Sequence, residues 1–422
     1  MFVDVTPLRE SRDYRYLYFG QMVSFLGRQL TVVAVPYQVF KITGSSFDVG
    51  MVGLVSLGPL VVLSLAGGAI ADSVDRRKLL IVTQVALAAT SVGLALNAER
   101  DSPALWPLFV LTALAAGLSG IDLPTRTAAL PNLIRREQLP AAAALGQILI
   151  QTGQVAGPAV AGLVIARLSL ADAYWFDVAT FGAALFALLQ MRPLPPEGGG
   201  TRAGFGSVRE GLRYLRGRRV LQSIFWIDVD AMVLGMPRAV FPALGTNVFH
   251  GGASAVGLLY AAPGAGALVG AVTTGWVGSV RRQGRAVIVA VVAWGIAIVA
   301  FGFTRWLPAA LLFLALAGAA DVVSAVFRGT ILQTTVPDAL RGRLSAINIA
   351  VVTGGPRLGD AEAGVVAAAA GLRFSVVSGG LGCVLGVALL SRLFPELDRH
   401  TAPVGGAPPT TTLDPSVEAE GE

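Results

Sequence analysis

Acidic and basic residues inside long apolar stretches are the groups of this sequence that could carry chemistry. Charged side chains are costly in hydrocarbon, so their presence there indicates ion binding, proton transfer or substrate contact. The 422 residues include only two histidines, His250 and His400, and one cysteine, Cys383. A cysteine or histidine metal site is therefore not expected, and a proton carrier would be a carboxylate. The candidates are Arg28, Asp122, Arg126, Asp177, Asp228, Asp230, Arg238, Asp321, Arg328, Arg357, Asp360 and Glu362.

Helical geometry separates some of these candidates. Arg28, Asp360 and Glu362 lie deepest within their apolar stretches. Arg357 and Asp360 are three residues apart and share a helix face, whereas Glu362 lies about 200° around the helix from Asp360. At most one of the two acids can therefore face a central cavity directly.

Other charged residues fit a structural role. Asp122 and Arg126 are four residues apart and can form a local pair on one helix. Arg126 and Arg328 are predicted near helix ends, where snorkelling or structural pairing explains a charge.

The elements that position these groups are membrane helices. The chain is 54% hydrophobic and 14% charged, with a mean hydropathy of +0.68, whereas a soluble domain is about a quarter charged. A spanning helix needs about 20 mostly apolar residues, and lipid cannot satisfy an open strand edge. We predict an all-α integral membrane protein with spans at 17–40, 47–71, 79–97, 104–127, 140–166, 172–190, 220–248, 253–279, 286–304, 307–328, 343–370 and 373–394.

The charged loops predict an orientation. Alternate loops are rich in arginine, whereas the others hold only Lys41, Arg100, Arg167, Arg305 and Arg373. Cytoplasmic loops collect Lys and Arg, so we expect both termini in the cytoplasm of a multi-pass protein of the plasma (inner) membrane. The net charge of +6 is thereby explained as a topology signal, and no nucleic-acid partner is expected.

The chain divides into four parts. Residues 1–191 and 220–394 are predicted to form two six-helix bundles. The connector 192–219 contains prolines and the triple glycine 198–200, then Val208, Leu212 and Leu215 at helical spacing between arginines. That pattern predicts a short amphipathic helix, either on the inner membrane surface or solvated in the connector. The tail 395–422 is predicted to be disordered.

The two bundles are related by an internal repeat. Landmarks recur about 206 residues apart: Pro36 with Pro242, Gly50 with Gly257, Gly68 with Gly275, and Pro131 with Pro337. Six helices in each half, in the same orientation, are typical of the parallel-repeat plan of major facilitator transporters. In that plan the substrate binds between the halves and rocking gives alternating access.

Several function classes are excluded or disfavoured. A phosphate-binding loop requires Gly-Lys-Ser/Thr, but the only lysines are Lys41, before Ile42, and Lys78, before Leu79. An ATP-driven pump is thus excluded. No nucleophile elbow, metal-ligand cluster or cofactor fingerprint supports an enzyme, and no cofactor is expected.

The loop between the second and third spans carries Gly68, Asp72, Arg76 and Arg77 at a characteristic spacing. It resembles the major facilitator signature G-x-x-x-D-R-x-G-R-R, with departures at Ser73 and Asp75. In that family this cluster latches the outward-open state through the eleventh helix. Ordinary anchoring charges are the alternative interpretation. In the second half Ser279 stands in place of Asp72, and Gly284 in place of Arg77.

The fifth span carries Gly153, Gly157, Pro158 and Gly162. Small residues four apart allow close helix contact, and proline bends a helix. The segment resembles the antiporter motif G-x-x-x-G-P-x-x-G-G, with Ala161 in place of one glycine. Exporters that exchange substrate for protons use that motif; a generic packing interface is the alternative.

Over its full length the sequence resembles the enterobactin-exporter branch of the major facilitator superfamily. The resemblance implies export of a siderophore or related secondary metabolite, driven by the proton gradient, with a multidrug or macrolide-type exporter of the same fold as the alternative. It also places an intramembrane aspartate at Asp360, which favours Asp360 over Glu362 as the proton carrier; Asp122, Asp228 and Asp321 follow. We expect a monomer whose partners are the lipid bilayer, a small-molecule substrate and protons. The segments that carry the resemblance are AVPYQVF, DVGMVGL, GGAIADSVDRRKLL, FPALGTN, VGLLYAAPGAGALVGA and RLGDAEAG.

Overall fold

Every regular element of the described chain is a helix. The computed structural model describes residues 4–195 and 205–401, apart from the side chains of residues 69, 72, 205–208, 278, 338, 339, 345, 346 and 349. A short α1 (Thr6–Glu10) precedes the first long helix. The long helices are α2 (Arg12–Thr43), α3 (Ser46–Ser73), α4 (Arg76–Ala98), α5 (Trp106–Leu133), α6 (Leu139–Arg167), α7 (Leu170–Leu189), α11 (Gly252–Thr273), α12 (Gln283–Phe303), α13 (Leu307–Thr335), α14 (Asp338–Ala370) and α15 (Leu372–Leu393).

The seventh crossing is interrupted. It consists of α9 (Arg219–Leu234), a 3-10 turn (Arg238–Val240), α10 (Phe241–Ala243) and a π-helical turn (Leu244–Val248). With the eleven continuous helices it makes twelve crossings, so the predicted all-α fold with twelve spans is confirmed.

Local sequence explains how the first two crossings are joined. Gly44 ends α2 in the left-handed conformation, with φ of 67°, which glycine adopts without steric cost. The Ser45 side chain then accepts a hydrogen bond from the Asp48 amide at 3.3 Å, a helix N-cap. A tight reversal therefore places α2 and α3 side by side.

Three crossings depart from the pattern of one long apolar helix. Nine helices in the described ranges are long and apolar enough to cross a membrane. Of the other three crossings, α2 and α14 contain the charged residues Arg28 and Asp360, which line a cavity inside the bundle. The seventh crossing is interrupted, and its longest helix, α9, has only 16 residues, fewer than a spanning helix needs.

The loops separate the bundle into two chemically distinct ends. At the end where α2 and α4 begin, which we call the arginine-rich end, Arg192 bonds Asp13 at 3.1 Å. At the same end Arg135 pairs with Glu10. Hydrogen bonds from Arg135, which has the larger effect, and from Gln138 hold the pKa of the Glu10 carboxyl below its usual range. The other end, where α3 and α5 begin, is the arginine-poor end.

The two halves of the chain meet near the arginine-poor end. One buried apolar cluster there contains Val33 and Tyr174 from the first half and Ala243, Val256 and Ala363 from the second. The apolar cluster at the arginine-rich end of the first half, which includes Tyr14, Leu80 and Met191, contains first-half residues alone among the described side chains. The halves are thus joined tightly at one end.

The connector contains the expected short helix, α8 (Phe205–Leu215). It lies against α14: Glu210 bonds Arg343 at 3.0 Å, and Gly211 faces Ile347. Leu215 is buried while Leu212 is exposed, so one face packs on protein. The described part of this helix is therefore docked on the second half.

The prediction of disorder from residue 395 is wrong for the first part of the tail. Residues Pro395–Asp398 form α16, because Leu397 is fully buried against the core of the second half. Glu396 also bonds Arg219 at 3.0 Å. The rest of the predicted disordered tail, 402–422, lies outside the described residues.

Candidate substrate and proton site

A cavity of about 390 Å³ lies between the two halves and brings charged residues from both together. The first half contributes Arg28 and Asp177, and the second contributes Arg238, Arg357 and Asp360. We call it the central cavity. Three arginines face two aspartates, so its lining has an excess of positive charge.

Asp177 is held in place by two hydroxyl groups from neighbouring helices. Its carboxylate accepts hydrogen bonds from Thr31 of α2 at 2.7 Å and from Ser91 of α4 at 2.8 Å. The residue is 1% exposed, and one carboxylate oxygen has no hydrogen-bond partner. The sequence does not distinguish Asp177 from the other acids, because both partners are distant along the chain.

Arg28 lies midway along α2 and faces the central cavity. Its Nε is buried without a hydrogen-bond partner. Its guanidinium lies 5.6 Å from the centre of the Phe25 ring, and the charges that influence it are those of Asp122, Arg126 and Asp177. Arg28 therefore offers hydrogen-bond donors that the described protein groups do not use.

Asp122 and Arg126 form a buried pair within the first half. Arg126 Nε lies 2.7 Å from the Asp122 carboxylate, which also accepts from Gln84 at 2.9 Å. Neither residue lines the central cavity. The pair braces α5 against α4, and Arg126 is paired rather than snorkelling at a helix end.

Asp360 lies where α14 touches α3. Its carboxylate is influenced by the charges of Arg238 and Arg357 and by the backbone of Ala239. A methyl group built on Gly53 would lie 3.1 Å from the Asp360 Cβ. Asp360 thus combines a cavity-facing carboxylate with a position in the contact between the halves.

Glycine and proline cause the interruption that presents Arg238. Pro237 and Pro242 have no amide hydrogen to donate, so nearby carbonyls lose their helical partners. Side chains satisfy two of them: Trp294 Nε1 donates to the Gly235 oxygen at 3.1 Å, and the Tyr260 hydroxyl donates to the Arg238 oxygen at 3.2 Å. Irregular backbone at membrane depth is tolerated where protein groups or a cavity satisfy it. The predicted continuous span 220–248 is therefore wrong in this detail.

A second cavity of about 240 Å³ lies on the other side of Arg238. Its walls include Trp294, Phe241 and Pro158, and Asp321 is its acidic group. We call it the side cavity.

Asp228 and Arg328 form the main ion pair of the second half. Arg328 lies 2.8 Å from Asp228 and 3.9 Å from Asp321, and it also donates to Ser324 at 3.0 Å. Arg328 and Asp228 are buried, so Arg328 is paired and does not snorkel. Of these acids, only Asp321 lines the side cavity.

The structure separates Asp230 and Glu362 from the two cavities. A methyl group on Gly386 of α15 would overlap the Asp230 carboxylate, so that acid faces α15. Glu362 is half-buried and is not among the residues that line the central or the side cavity.

The helix-five motif forms a packing surface on α6. Methyl groups built on Gly153 and Gly157 would overlap Phe25 and Gln29 of α2. One built on Gly162 would lie 2.9 Å from the Gly257 Cα on α11. The motif therefore joins α6 to α2 within its half and to α11 of the other half.

The same spacing recurs on α14, which sequence reasoning missed. Gly355, Gly359, Asp360 and Gly364 stand 202 residues after Gly153, Gly157, Pro158 and Gly162. The contacts recur too: Gly355 and Gly359 face Met232 of α9, and Gly364 faces Gly50 of α3. Asp360 thus occupies the position of the motif's proline. Comparing the two strings at this offset would have revealed it.

The loop motif braces the first half in the described contacts. Arg76 donates to Asn132 at 2.5 Å, and Arg77 donates to the Leu188 and Leu189 oxygens at 2.8 Å. Asp75, which departs from the family's glycine, caps α4 by accepting from the Lys78 amide at 3.0 Å. Gly68 lies in the last turns of α3, and the Asp72 side chain lies outside the described residues.

Comparison with known sequences gives consistent results over nearly the whole chain. A family model described as a transmembrane secretion effector matches residues 3–413. The enterobactin exporter EntS of Citrobacter koseri is 28% identical over 401 residues, covering 95% of this chain and 96% of that protein. EntS of Escherichia coli O81 is 27% identical over 414 residues, covering 98% of each.

Solved structures share the architecture. A bacterial homologue of the human lysosomal transporter Spinster, in an inward-facing and unoccupied conformation, matches with a TM-score of 0.73 and 15% identity, covering 95% of this chain and 100% of that one. The nucleoside transporter NupG matches with a TM-score of 0.71 and 12% identity, covering 92% of this chain and 100% of that one. At identities this low, the similarity shows a shared fold and nothing more. The predicted major facilitator fold is confirmed.

Proposed function

Because the chain belongs to the transmembrane secretion effector family, we propose that it exports a siderophore-like or other secondary metabolite in exchange for protons, by alternating access. It is a multi-pass membrane transporter and not an enzyme. The observation that carries the proposal is the central cavity, in which Asp360 and three arginines meet between two halves that touch near one end.

The charge distribution supports export from the cytoplasm across the plasma (inner) membrane. Arginine-rich loops favour the cytoplasmic side, so the arginine-rich end and both termini are cytoplasmic. The halves are packed together near the arginine-poor end. With that orientation the conformation is inward-facing, the state that loads substrate from the cytoplasm.

The lining of the central cavity favours an anionic or hydroxyl-rich substrate. Arg28, Arg238 and Arg357 outnumber Asp177 and Asp360, and like charges repel a cationic ligand. Siderophores are therefore favoured over cationic drugs, in agreement with the relatives named as enterobactin exporters. A bulky macrolide-type drug is the runner-up.

Exchange requires that proton and substrate compete. An ionised Asp360 accepts hydrogen bonds from substrate hydroxyls, whereas a protonated carboxyl loses part of that capacity. Release of substrate on the outer side then favours proton uptake, and proton release to the cytoplasm restores the loading state. Protons are thus the coupling ion, and the central carboxylate is their carrier.

Secretion by intact cells tests the function. In a catecholate-producing bacterium that lacks its own exporter, expression of this chain should restore the siderophore to the medium. An uncoupler should stop secretion even when ATP remains abundant, because the driving force is the proton gradient. Secretion that survives the uncoupler contradicts proton exchange, and restored efflux of a macrolide but not of the siderophore favours the runner-up.

The loop motif supports a further expectation about gating. Asp72→Asn should leave the protein in the membrane but remove most transport, because the proposed latch to the eleventh crossing loses its charge. Initial efflux rates at matched membrane levels measure this. Asp101→Asn, an exposed acid of the arginine-poor end, is the control, and normal efflux by Asp72→Asn would rule out the latch.

A further inference from the structure

Arg238 forms part of the partition between the central cavity and the side cavity. It lines both, together with Val32 and Tyr260. It lies in the interrupted part of the seventh crossing, where its backbone oxygen is held by Tyr260. The backbone is thereby anchored while the half-buried side chain borders two open spaces.

An acid stands on each side of this arginine. Asp360 lines the central cavity and Asp321 lines the side cavity. Each has a buried carboxylate oxygen without a hydrogen-bond partner, and each is influenced by the charge of Arg238. Among the ion pairs of the described residues, none engages Arg238. The arginine is therefore placed to serve either acid.

The surrounding charges limit the alternatives. Arg357 on α14 is the other cation that influences Asp360. Arg328 is 2.8 Å from Asp228 but 3.9 Å from Asp321, so it serves Asp228 first. Asp321 is thus incompletely paired with Arg328, and Arg238 is the second arginine that influences it.

Charge balance shows what a proton changes. When all groups are ionised, three acids of the second half carry a charge equal and opposite to that of three arginines: Asp228, Asp321 and Asp360 against Arg238, Arg328 and Arg357. From the first half, Arg28 and Asp177 also line the central cavity. A proton on Asp360 leaves one positive charge in excess there. Of the second-half acids that line the central cavity or the side cavity, only Asp321 is then still ionised and able to pair with Arg238.

We propose that Arg238 is a shared counter-ion, which pairs with Asp360 while that acid is ionised and turns into the side cavity toward Asp321 when Asp360 takes up a proton. The inference rests on the proposed role of Asp360 and makes Arg238 and Asp321 positioning residues. The arginine's movement joins the two cavities in the protonated state and separates them in the ionised state.

Proton affinity provides a test that needs no substrate. Infrared spectra of the full chain in lipid nanodiscs, recorded across a pH titration, report protonated carboxyl groups, and Asp360→Asn identifies the band of Asp360. In Asp321→Asn, Asp360 is the only acid of the pair left for Arg238, and this pairing stabilises the ionised Asp360 carboxylate. The proton affinity of Asp360 should therefore fall on the order of tenfold, within the range of coupling between linked sites. Glu362→Gln, on the same helix but off the two cavities, should leave that affinity unchanged.

The decisive comparison is made without the arginine. In Arg238→Gln, adding Asp321→Asn should no longer change the proton affinity of Asp360. A persisting effect would show direct repulsion between the acids and would overturn the shared counter-ion. No effect of Asp321→Asn in the otherwise native chain would overturn it too.

A fallback variant and the Asp360 band itself distinguish the sharing of Arg238 from the premise that Asp360 carries the proton. If Arg238→Gln fails to fold, Arg238→Lys replaces it: the shorter cation should reduce the coupling by severalfold, and undiminished coupling contradicts the proposal. Absence of any titrating Asp360 band removes the premise that Asp360 carries the proton. A titrating band without coupling contradicts only the sharing of Arg238.

Discussion

Asp360→Asn is expected to abolish proton-coupled export while the protein still binds its substrate. The amide cannot release or take up the proton, but it keeps the size and hydrogen-bonding reach of the carboxyl group beside Ala239. Active efflux into everted membrane vesicles should fall to the level of empty membranes. Binding to the purified variant, measured by tryptophan fluorescence or calorimetry, should stay within about tenfold of the native affinity, the equivalent of 1.4 kcal/mol.

Glu362→Gln is the matched control on the same helix. Glu362 does not line either cavity, so this variant should keep at least partial coupling. If the two variants behave the other way round, Glu362 is the carrier and Asp360 is structural. If both transport normally, the carrier lies elsewhere, and Asp122, Asp228 and Asp321 become the next acids to replace.

Gly257→Val is expected to prevent the two halves from closing at the arginine-poor end. A methyl group at this position would lie 2.5 Å from the Pro158 oxygen and 2.6 Å from the Gly162 Cα. Both obstacles are backbone atoms, which cannot turn aside like a flexible side chain. Overpacking of this kind costs about 1–3 kcal/mol, so the closed state should lose population on the order of tenfold or more.

The measurement is a distance between spin labels across the arginine-poor end, together with the transport rate. The label pair should show a longer separation in Gly257→Val, and transport should fall in proportion to the lost closed state. Gly58→Val and Gly146→Val are controls, since nothing lies within 4 Å of an added Cβ at either position. A native distance distribution and a native rate in Gly257→Val would contradict the role of this contact.

Hydropathy and loop charge predict the fold well here because a bilayer constrains it strongly. A helix must cover the hydrocarbon core with apolar residues, so the ends of α3, α7 and α15 lie within two residues of the predicted spans. The interruption at Gly235 and Pro237 was missed. Its stability depends on Trp294 and Tyr260, which come from other helices and leave no local signal.

The site was predicted in its residue types but not in its grouping. The position of Asp360 opposite Glu362 follows from helical periodicity. The grouping of Asp177 with Thr31 and Ser91 depends on packing between distant segments. The partners of similar acids also differ. Asp122 pairs with Arg126 on its own helix, whereas Asp228 pairs with Arg328, 100 positions further along the chain.

Coupled flux in proteoliposomes tests the central claim most directly. Purified protein is reconstituted around a trapped pH indicator, and a catecholate siderophore gradient is imposed without any initial pH difference. We expect protons to move against the direction of the siderophore, and Asp360→Asn to show no such movement. Siderophore flux without proton movement, or with protons moving in the same direction, would contradict proton exchange.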